Sequence, residues 1–254
     1  MELNFKKYGD SGEPLIIIHG LLGMLDNWSS HARFFKDQGY RVYLVDARNH
    51  GRSPWSDEMN YEVMMEDLKE FLDSQSINEA HLLGHSMGGK IVMKFAQNYA
   101  YRVKKLIVAD ISPMSYPVHH ELILKSLRNV PLDKIEKRTE ADEFLAEYIK
   151  VVGIRQFLMK SLHRKKDKTF GWRFNVDAIE ANIERMGDAV MDSRYQGKTL
   201  FIRGGASDYI KDNQLDELKV SFPNSEIKTI EKAGHWLHAE EPKVFDEYVI
   251  NFLG

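Results

Sequence analysis

Short β-branched runs alternate with longer segments of helical periodicity along most of this 254-residue sequence. Such alternation is typical of βα units whose strands lie side by side in a mainly parallel sheet. The predicted strands span residues 14–20, 40–46, 80–85, 104–110, 198–204 and 225–231. Helices are predicted over residues 60–74, 88–99 and 241–253. The sequence therefore predicts an α/β fold, with its chemistry at the carboxyl ends of the strands.

The alternation stops between residues 113 and 195, where only helix-like segments occur. This stretch starts just after the strand that ends at Asp110 and ends just before the next predicted strand, at residue 198. We therefore predict a helical lid, residues 113–195, inserted into a core made of residues 1–112 and 196–254. An independent helical domain is the alternative that the sequence leaves open.

The composition excludes several classes of protein. A formal net charge of −3 provides no field that would attract nucleic acid or an anionic membrane surface. No apolar run approaches the roughly 18 residues of a membrane span, and no signal peptide is recognisable. The absence of cysteine excludes disulfides, a thiolate nucleophile and Cys-ligated zinc. We expect a cytoplasmic protein without nucleic-acid or membrane partners.

The motif Gly84-His85-Ser86-Met87-Gly88 lies where a predicted strand gives way to a predicted helix. A G-x-S-x-G sequence in that context is typical of a nucleophile elbow, a sharp turn that exposes the serine above the sheet. The flanking glycines avoid collisions that a Cβ atom would cause. Ser86 is the candidate nucleophile, and the other interpretation is a helix N-terminus capped by an ordinary serine.

A serine nucleophile needs a base, and His235 is the best candidate because it follows the last strand and precedes the last helix. His238, three residues later, is the weaker alternative. We expect His85 to point away from Ser86 and His19 to order its loop through hydrogen bonds. The pair at residues 119–120 lacks the other ligands of a metal site.

Two aspartates are candidates for the acid that orients His235. Asp110 ends one strand and Asp208 follows the next, so both could reach the same imidazole. For the oxyanion we expect two backbone N–H donors, from Met87 after the nucleophile and from Leu21 in the loop after the first predicted strand.

Seven segments of this sequence resemble the α/β-hydrolase superfamily and, within it, the YbfF-type esterases. They are HGLLGMLDNW (19–28), VDARNHGRSP (45–54), LLGHSMGGK (82–90), VADISPMSY (108–116), WRFN (172–175), RGGASDYI (203–210) and AGHWLHAE (233–240). They occur in order over nearly the whole chain. The resemblance implies an α/β-hydrolase fold, a mostly parallel sheet flanked by helices with a helical lid.

The resemblance also implies hydrolysis of a small acyl ester or thioester, without a metal or other cofactor. Ser86 would be the nucleophile and His235 the base, with Leu21 and Met87 as oxyanion donors. In these relatives the acid is the aspartate of the D-I-S-P segment, here Asp110. The usual superfamily position follows the next strand, where this sequence also has Asp208.

An apolar acyl pocket could be formed by tryptophans and lid side chains, although such residues more often belong to a core. The candidates are Trp28, Trp172, Trp236, Leu122, Leu124, Phe144, Leu145, Tyr148, Phe157, Leu158 and Met159. The basic run at residues 163–168 is a solvated loop or, alternatively, a site for the phosphates of a coenzyme A thioester.

Two rival functions stay open. The same residues can catalyse carbon–carbon bond hydrolysis, lyase chemistry or perhydrolysis. The same fold can also act as a ligand receptor without catalysis. The sequence does not determine the oligomeric state, the acyl chain length or the preference for esters over thioesters.

Overall fold

The computed structural model describes all residues from 1 to 254. The strands are β1 (Phe5–Tyr8), β2 (Pro14–Ile18), β3 (Arg41–Val45), β4 (Ala80–His85), β5 (Val103–Ala109), β6 (Leu162–Arg164), β7 (Phe170–Trp172), β8 (Thr199–Gly204) and β9 (Ser225–Ile230). The helices are α1 (Ser29–Asp37), α2 (Tyr61–Ser74), α3 (Met87–Asn98), α4 (Glu121–Asn129), α5 (Arg138–Tyr148), α6 (Val152–Met159), α7 (Val176–Ala181), α8 (Leu215–Ser221), α9 (Leu237–Glu240) and α10 (Pro242–Leu253). Short 3₁₀ helices span Leu25–Trp28, Ala100–Arg102, Ile183–Gly187 and Asp212–Gln214.

Seven strands form one sheet in the order β1-β3-β2-β4-β5-β8-β9. All neighbouring pairs are parallel except β1 with β3. All six predicted strands are present, which confirms the α/β class. Strand β1 was not predicted, because its sequence FKKY is mostly exposed at the sheet edge and lacks an apolar run.

Alternate side chains of the central strands enter two separate apolar clusters, one on each face of the sheet. In β2, Ile16 and Ile18 belong to the cluster covered by α2, α3 and α8. Their neighbours Leu15 and Ile17 belong to the second cluster, covered by α1 and α10. Because both faces are covered, the strands read as continuous apolar runs, which is why they were recognisable in the sequence.

Between β5 and β8 the chain adds no strand to the large sheet. It forms α4 to α7 and a separate hairpin in which β6 pairs with β7. The hairpin was not predicted, because only helix-like segments and the basic run at residues 163–168 were recognisable in this part of the sequence. We call residues 113–195 the insertion, and its role as a lid stays a prediction.

The two ends of the insertion are joined beside α3. Tyr116 N–H donates to the Gly187 carbonyl at 3.0 Å. The fully buried Lys90 of α3 donates from Nζ to the carbonyls of Met114, at 2.8 Å, and Asp188. The insertion is thereby anchored to the helix that follows Ser86.

No helix of the structure combines the length and the apolar character that a membrane span requires.

The packing of α3 against β2 requires glycine at position 88. A Cβ atom there would lie 2.3 Å from the Ile18 carbonyl oxygen. We expect Gly88→Ala to lower the free energy of unfolding by about 1–3 kcal/mol, because backbone must move. Urea unfolding followed by circular dichroism measures this change.

Gly153→Ala is the matched control. A Cβ atom at Gly153 would contact nothing within 4 Å, and the residue lies in α6. Alanine should leave stability unchanged or raise it by about 0.5–1 kcal/mol through helix propensity. Equal effects of the two substitutions would contradict the packing argument.

Candidate active site

Ser86 lies in a strained turn between β4 and α3. Its backbone has φ 53° and ψ −119°, a conformation that non-glycine residues rarely adopt. A Cβ atom on Gly84 would lie 2.2 Å from the Gly88 carbonyl oxygen, so the turn can close only with glycine there. This local geometry is that of the predicted nucleophile elbow.

Ser86, His235 and Asp110 form one hydrogen-bonded line. Ser86 Oγ lies 3.0 Å from His235 Nε2, and His235 Nδ1 lies 2.8 Å from Asp110 Oδ2. A carboxylate can only accept, so Nδ1 carries the proton and Nε2 is free to accept from the serine hydroxyl. The arrangement can therefore remove a proton from Ser86 and hold the resulting charge on His235.

The Asp110 carboxylate is fully buried and has three donors. Gly204 N–H donates to Oδ1 at 2.9 Å, while the Ser207 hydroxyl and His235 Nδ1–H donate to Oδ2. Asp208, the other predicted candidate, is 96% exposed, and its ion-pair partner is Lys211 at 3.8 Å. Of the two aspartates, Asp110 is the one that contacts His235.

Two residues of the loop after β8 were missed by the sequence reasoning. Ser207 donates to Asp110, and the Tyr209 ring stacks on the His235 ring with centroids 4.1 Å apart. Both belong to the motif RGGASDYI, which was singled out only for Asp208. A hydroxyl and an aromatic ring beside the candidate acid were the available signal.

The two predicted oxyanion donors belong to a loop that lines the cleft and to the residue after Ser86. Leu21 lines the cleft that contains Ser86, and Met87 begins α3. Neither backbone N–H is engaged in a hydrogen bond within the protein. The Met87 amide also lies at the positive end of the helix dipole.

Two buried histidines hold the loop that carries Leu21. His50 Nε2 accepts from Leu22 N–H at 3.1 Å, and His19 bridges the Gly20 carbonyl (2.8 Å) and the Ala47 N–H (3.1 Å). Each ring donates one bond and accepts one, which only the neutral form can do. Burial lowers the pKa of His19 to about 4 and that of His50 to about 3. His19 thus orders its loop, as expected.

A cleft with a volume of about 60 Å³ opens above Ser86. Its walls are the loop at residues 19–23, Ser86, His235 and residues of the insertion. The insertion contributes His120, Ile123, Ile154, Phe157 and Leu158.

Trp28 and Trp236 line this cleft, whereas Trp172 does not. Trp172 is buried inside the insertion, stacked on Phe174, with Nε1 donating to the Leu127 carbonyl at 3.2 Å. Trp172 is therefore a core residue, and its place in the substrate pocket is corrected.

Most of the predicted apolar lid residues also lie outside the cleft. Phe157 and Leu158 line it, but Leu122 is half exposed and Leu124 and Leu145 are buried in the core. Helical periodicity identifies an apolar face without showing which part of that face contacts the site.

The remaining histidines divide between the cleft and the core. His238 lines the cleft and stacks on Trp28 with centroids 4.3 Å apart, and it makes no hydrogen bond to Ser86, whose imidazole partner is His235. We expected His85 to point away from Ser86; its Nε2 bonds to the His235 carbonyl at 2.8 Å, and its ring lies 4.8 Å from the His235 ring. No group of three or more His, Asp or Glu side chains is arranged to hold a metal ion.

His19 and His50, the neutral histidines that hold the 19–23 loop, predict that the stability of the fold decreases in acid. Their pKa values lie below the unfolded value of about 6.5, so stability is complete above that pH and is lost as the pH falls toward 4. Each histidine contributes a slope of up to about 1.4 kcal/mol per pH unit in this window.

Replacing His50 by glutamine isolates one of these slopes. An amide oxygen can still accept from Leu22 but does not titrate, so the pH dependence of stability should be shallower by up to about 1.4 kcal/mol per unit. Urea unfolding at pH 4.5 to 7.5 measures the difference between the two proteins. Parallel curves would show that His50 does not titrate on unfolding.

The chain is similar in sequence to known proteins over most of its length. The sequence profile of the α/β hydrolase fold matches residues 13–148. The chain is 36% identical to the sn-1-specific diacylglycerol lipase ABHD11 of Danio rerio, over 98% of this chain and 80% of that protein. It is 35% identical to the esterase YbfF of Escherichia coli, over 91% and 89%.

A solved structure of a marine microorganism esterase superposes with a TM-score of 0.96 and 44% identity, covering 99% of both chains. These matches confirm the resemblance found in the sequence. The chain belongs to the α/β hydrolase family.

Proposed function

We propose that this protein is a serine esterase that cleaves carboxylic esters or acyl thioesters through Ser86, His235 and Asp110. The observation that carries the proposal is the line of hydrogen bonds from Ser86 Oγ through His235 to Asp110, with distances of 3.0 and 2.8 Å. Relatives named as esterases and lipases support ester hydrolysis as the class of reaction.

In the first half of the reaction Ser86 Oγ attacks the acyl carbonyl while His235 Nε2 takes its proton. The carbonyl oxygen becomes negative and is stabilised by the N–H groups of Leu21 and Met87. His235 then gives its proton to the departing alcohol or thiol, and the acyl group stays on Ser86. Asp110 keeps the imidazole in the required tautomer and balances its positive charge.

In the second half a water molecule attacks the acyl-enzyme. His235 takes a proton from this water and returns it to Ser86 as the acid leaves. The residues present supply the nucleophile, the base and the oxyanion donors, so the proposal requires no metal or other cofactor.

The cleft supports a small substrate with an apolar part. Its insertion wall is mainly aliphatic and aromatic, from Ile123, Ile154, Phe157 and Leu158. Such walls bind by burying apolar surface, while the polar groups near Ser86 orient the carbonyl. The basic run at residues 163–168 lies around the β6–β7 hairpin and does not line the cleft. The cleft therefore favours the acyl group, rather than a phosphorylated carrier, as the main recognition element.

The triad assignment is tested with p-nitrophenyl acetate and butyrate. We expect Ser86→Ala to abolish measurable turnover and Asp110→Asn to lower kcat/KM by about 10²–10⁴, because the wrong tautomer of His235 is then favoured. Asp208→Asn is the matched control and should stay near wild type. Circular dichroism verifies that each variant is folded.

A large loss in Asp208→Asn with an active Asp110→Asn would transfer the acid role to Asp208. Full activity of Ser86→Ala would remove the proposed function and favour a receptor.

Ser207 is expected to contribute through the acid. Ser207→Ala removes one of the three donors to the Asp110 carboxylate, so kcat/KM should fall about three- to tenfold, less than in Asp110→Asn. Steady-state kinetics on p-nitrophenyl butyrate measure the loss. The control is Ser115→Ala, which removes an exposed hydroxyl and should be neutral. A Ser207→Ala enzyme with wild-type kinetics would show that two donors suffice.

A further inference from the structure

The position of His235 depends on a loop rather than on regular structure. Residues 231–236 connect β9 to α9, and the imidazole must remain about 3 Å from Ser86 Oγ. A displacement of about 1 Å in such a pair can cost about 10²-fold in rate. The side chains that fix the backbone of this loop therefore bear on the reaction.

Glu240 holds the loop from the solvent side. Its carboxylate accepts from Gly234 N–H at 2.8 Å and from Trp236 N–H at 3.2 Å, the two amides that flank His235. Glu240 does not bond to the His235 carbonyl, whose hydrogen-bond partner lies inside the protein.

His85 provides that inner contact. It ends β4 immediately before Ser86, and its Nε2 lies 2.8 Å from the His235 carbonyl oxygen. A carbonyl can only accept, so Nε2 carries the proton and donates. Burial lowers the pKa of His85 well below its ordinary value, which keeps the ring neutral.

The direction of His85 follows from strand alternation. Leu83, two residues earlier, faces the cluster formed with α1 and α10, and His85 shares that face. Its ring lies 4.6 Å from the ring of His238, which stacks on Trp28. A Cβ atom on Gly20 would lie 2.9 Å from His85 Nδ1, so the ring also packs against the loop that carries Leu21.

We propose that His85 is a positioning residue that fixes His235 relative to Ser86 by donating to the His235 carbonyl. The inference rests on the proposed function, in which His235 transfers the proton. His85 touches the nucleophile turn, the 19–23 loop and the His235 loop, and it does not react itself. Its loss displaces the imidazole and weakens proton transfer, while the other residues that line the cleft keep their places.

The test compares His85→Gln with His85→Met. The two side chains have similar length, but only glutamine carries an N–H donor near the place of Nε2. Each variant is assayed with p-nitrophenyl butyrate, whose leaving group departs without protonation, and with ethyl butyrate, whose alkoxide must be protonated by His235.

We expect His85→Met to lower kcat/KM on both esters, with a loss about tenfold larger on ethyl butyrate and with KM little changed. His85→Gln should restore most of the activity and return the ratio of the two esters to the wild-type value. A fall in the fraction of folded enzyme would lower both activities equally and leave the ratio constant.

His81→Met is the matched control, since His81 is also buried in β4, near the opposite end from His85, and its Nε2 bonds to Glu13 at 2.7 Å. It should leave the ratio unchanged. A His85→Met enzyme with the wild-type ratio, or identical behaviour of the glutamine and methionine variants, overturns the role of His85. If His85→Met does not fold, His85→Phe replaces it, because phenylalanine supplies an aromatic ring without the N–H donor. A wild-type ratio in His85→Phe would also overturn the role of His85. Activity in Ser86→Ala would instead remove the proposed function itself.

Discussion

The buried Asp110 carboxylate is the charge around which the site is organised. Burying a carboxylate away from water costs free energy unless its oxygens are hydrogen-bonded. Here Gly204, Ser207 and His235 supply the donors. Two of these donors come from β8 and the loop after it, and the third comes from the loop after β9. Satisfying one charge therefore draws together three segments that are far apart in the sequence.

The parallel sheet makes this meeting possible. Strands β4, β5 and β8 are neighbours, so their carboxyl ends carry Ser86, Asp110 and Ser207 to the same edge. Ser86 and Asp110 both have positive φ values, which turn the chain sharply out of the sheet. The packed core beneath these two residues stabilises their strained backbone conformation.

The sequence alone predicted those features that depend on the local pattern of residues. The apolar strands, the glycine-flanked Ser86 and the order of Ser86 and His235 were all predicted, because buried strands and tight turns restrict the residues that they accept. The choice between Asp110 and Asp208 depends instead on which side chain faces inward from a loop. Trp172 was misplaced for a related reason, since burial inside the insertion and burial in the cleft favour the same apolar residue.

Neutral imidazoles explain how the loops of the site are held without disturbing its charge. His19, His50 and His85 are buried, and each donates to a backbone carbonyl in the neutral form. A lysine or arginine in the same places could supply donors, but its permanent positive charge would repel, and so destabilise, the positive charge that develops on His235 during the reaction. A serine or asparagine would reach a shorter distance from the backbone. Histidine is thus the side chain that spans these gaps, directs its bonds and stays uncharged near neutral pH.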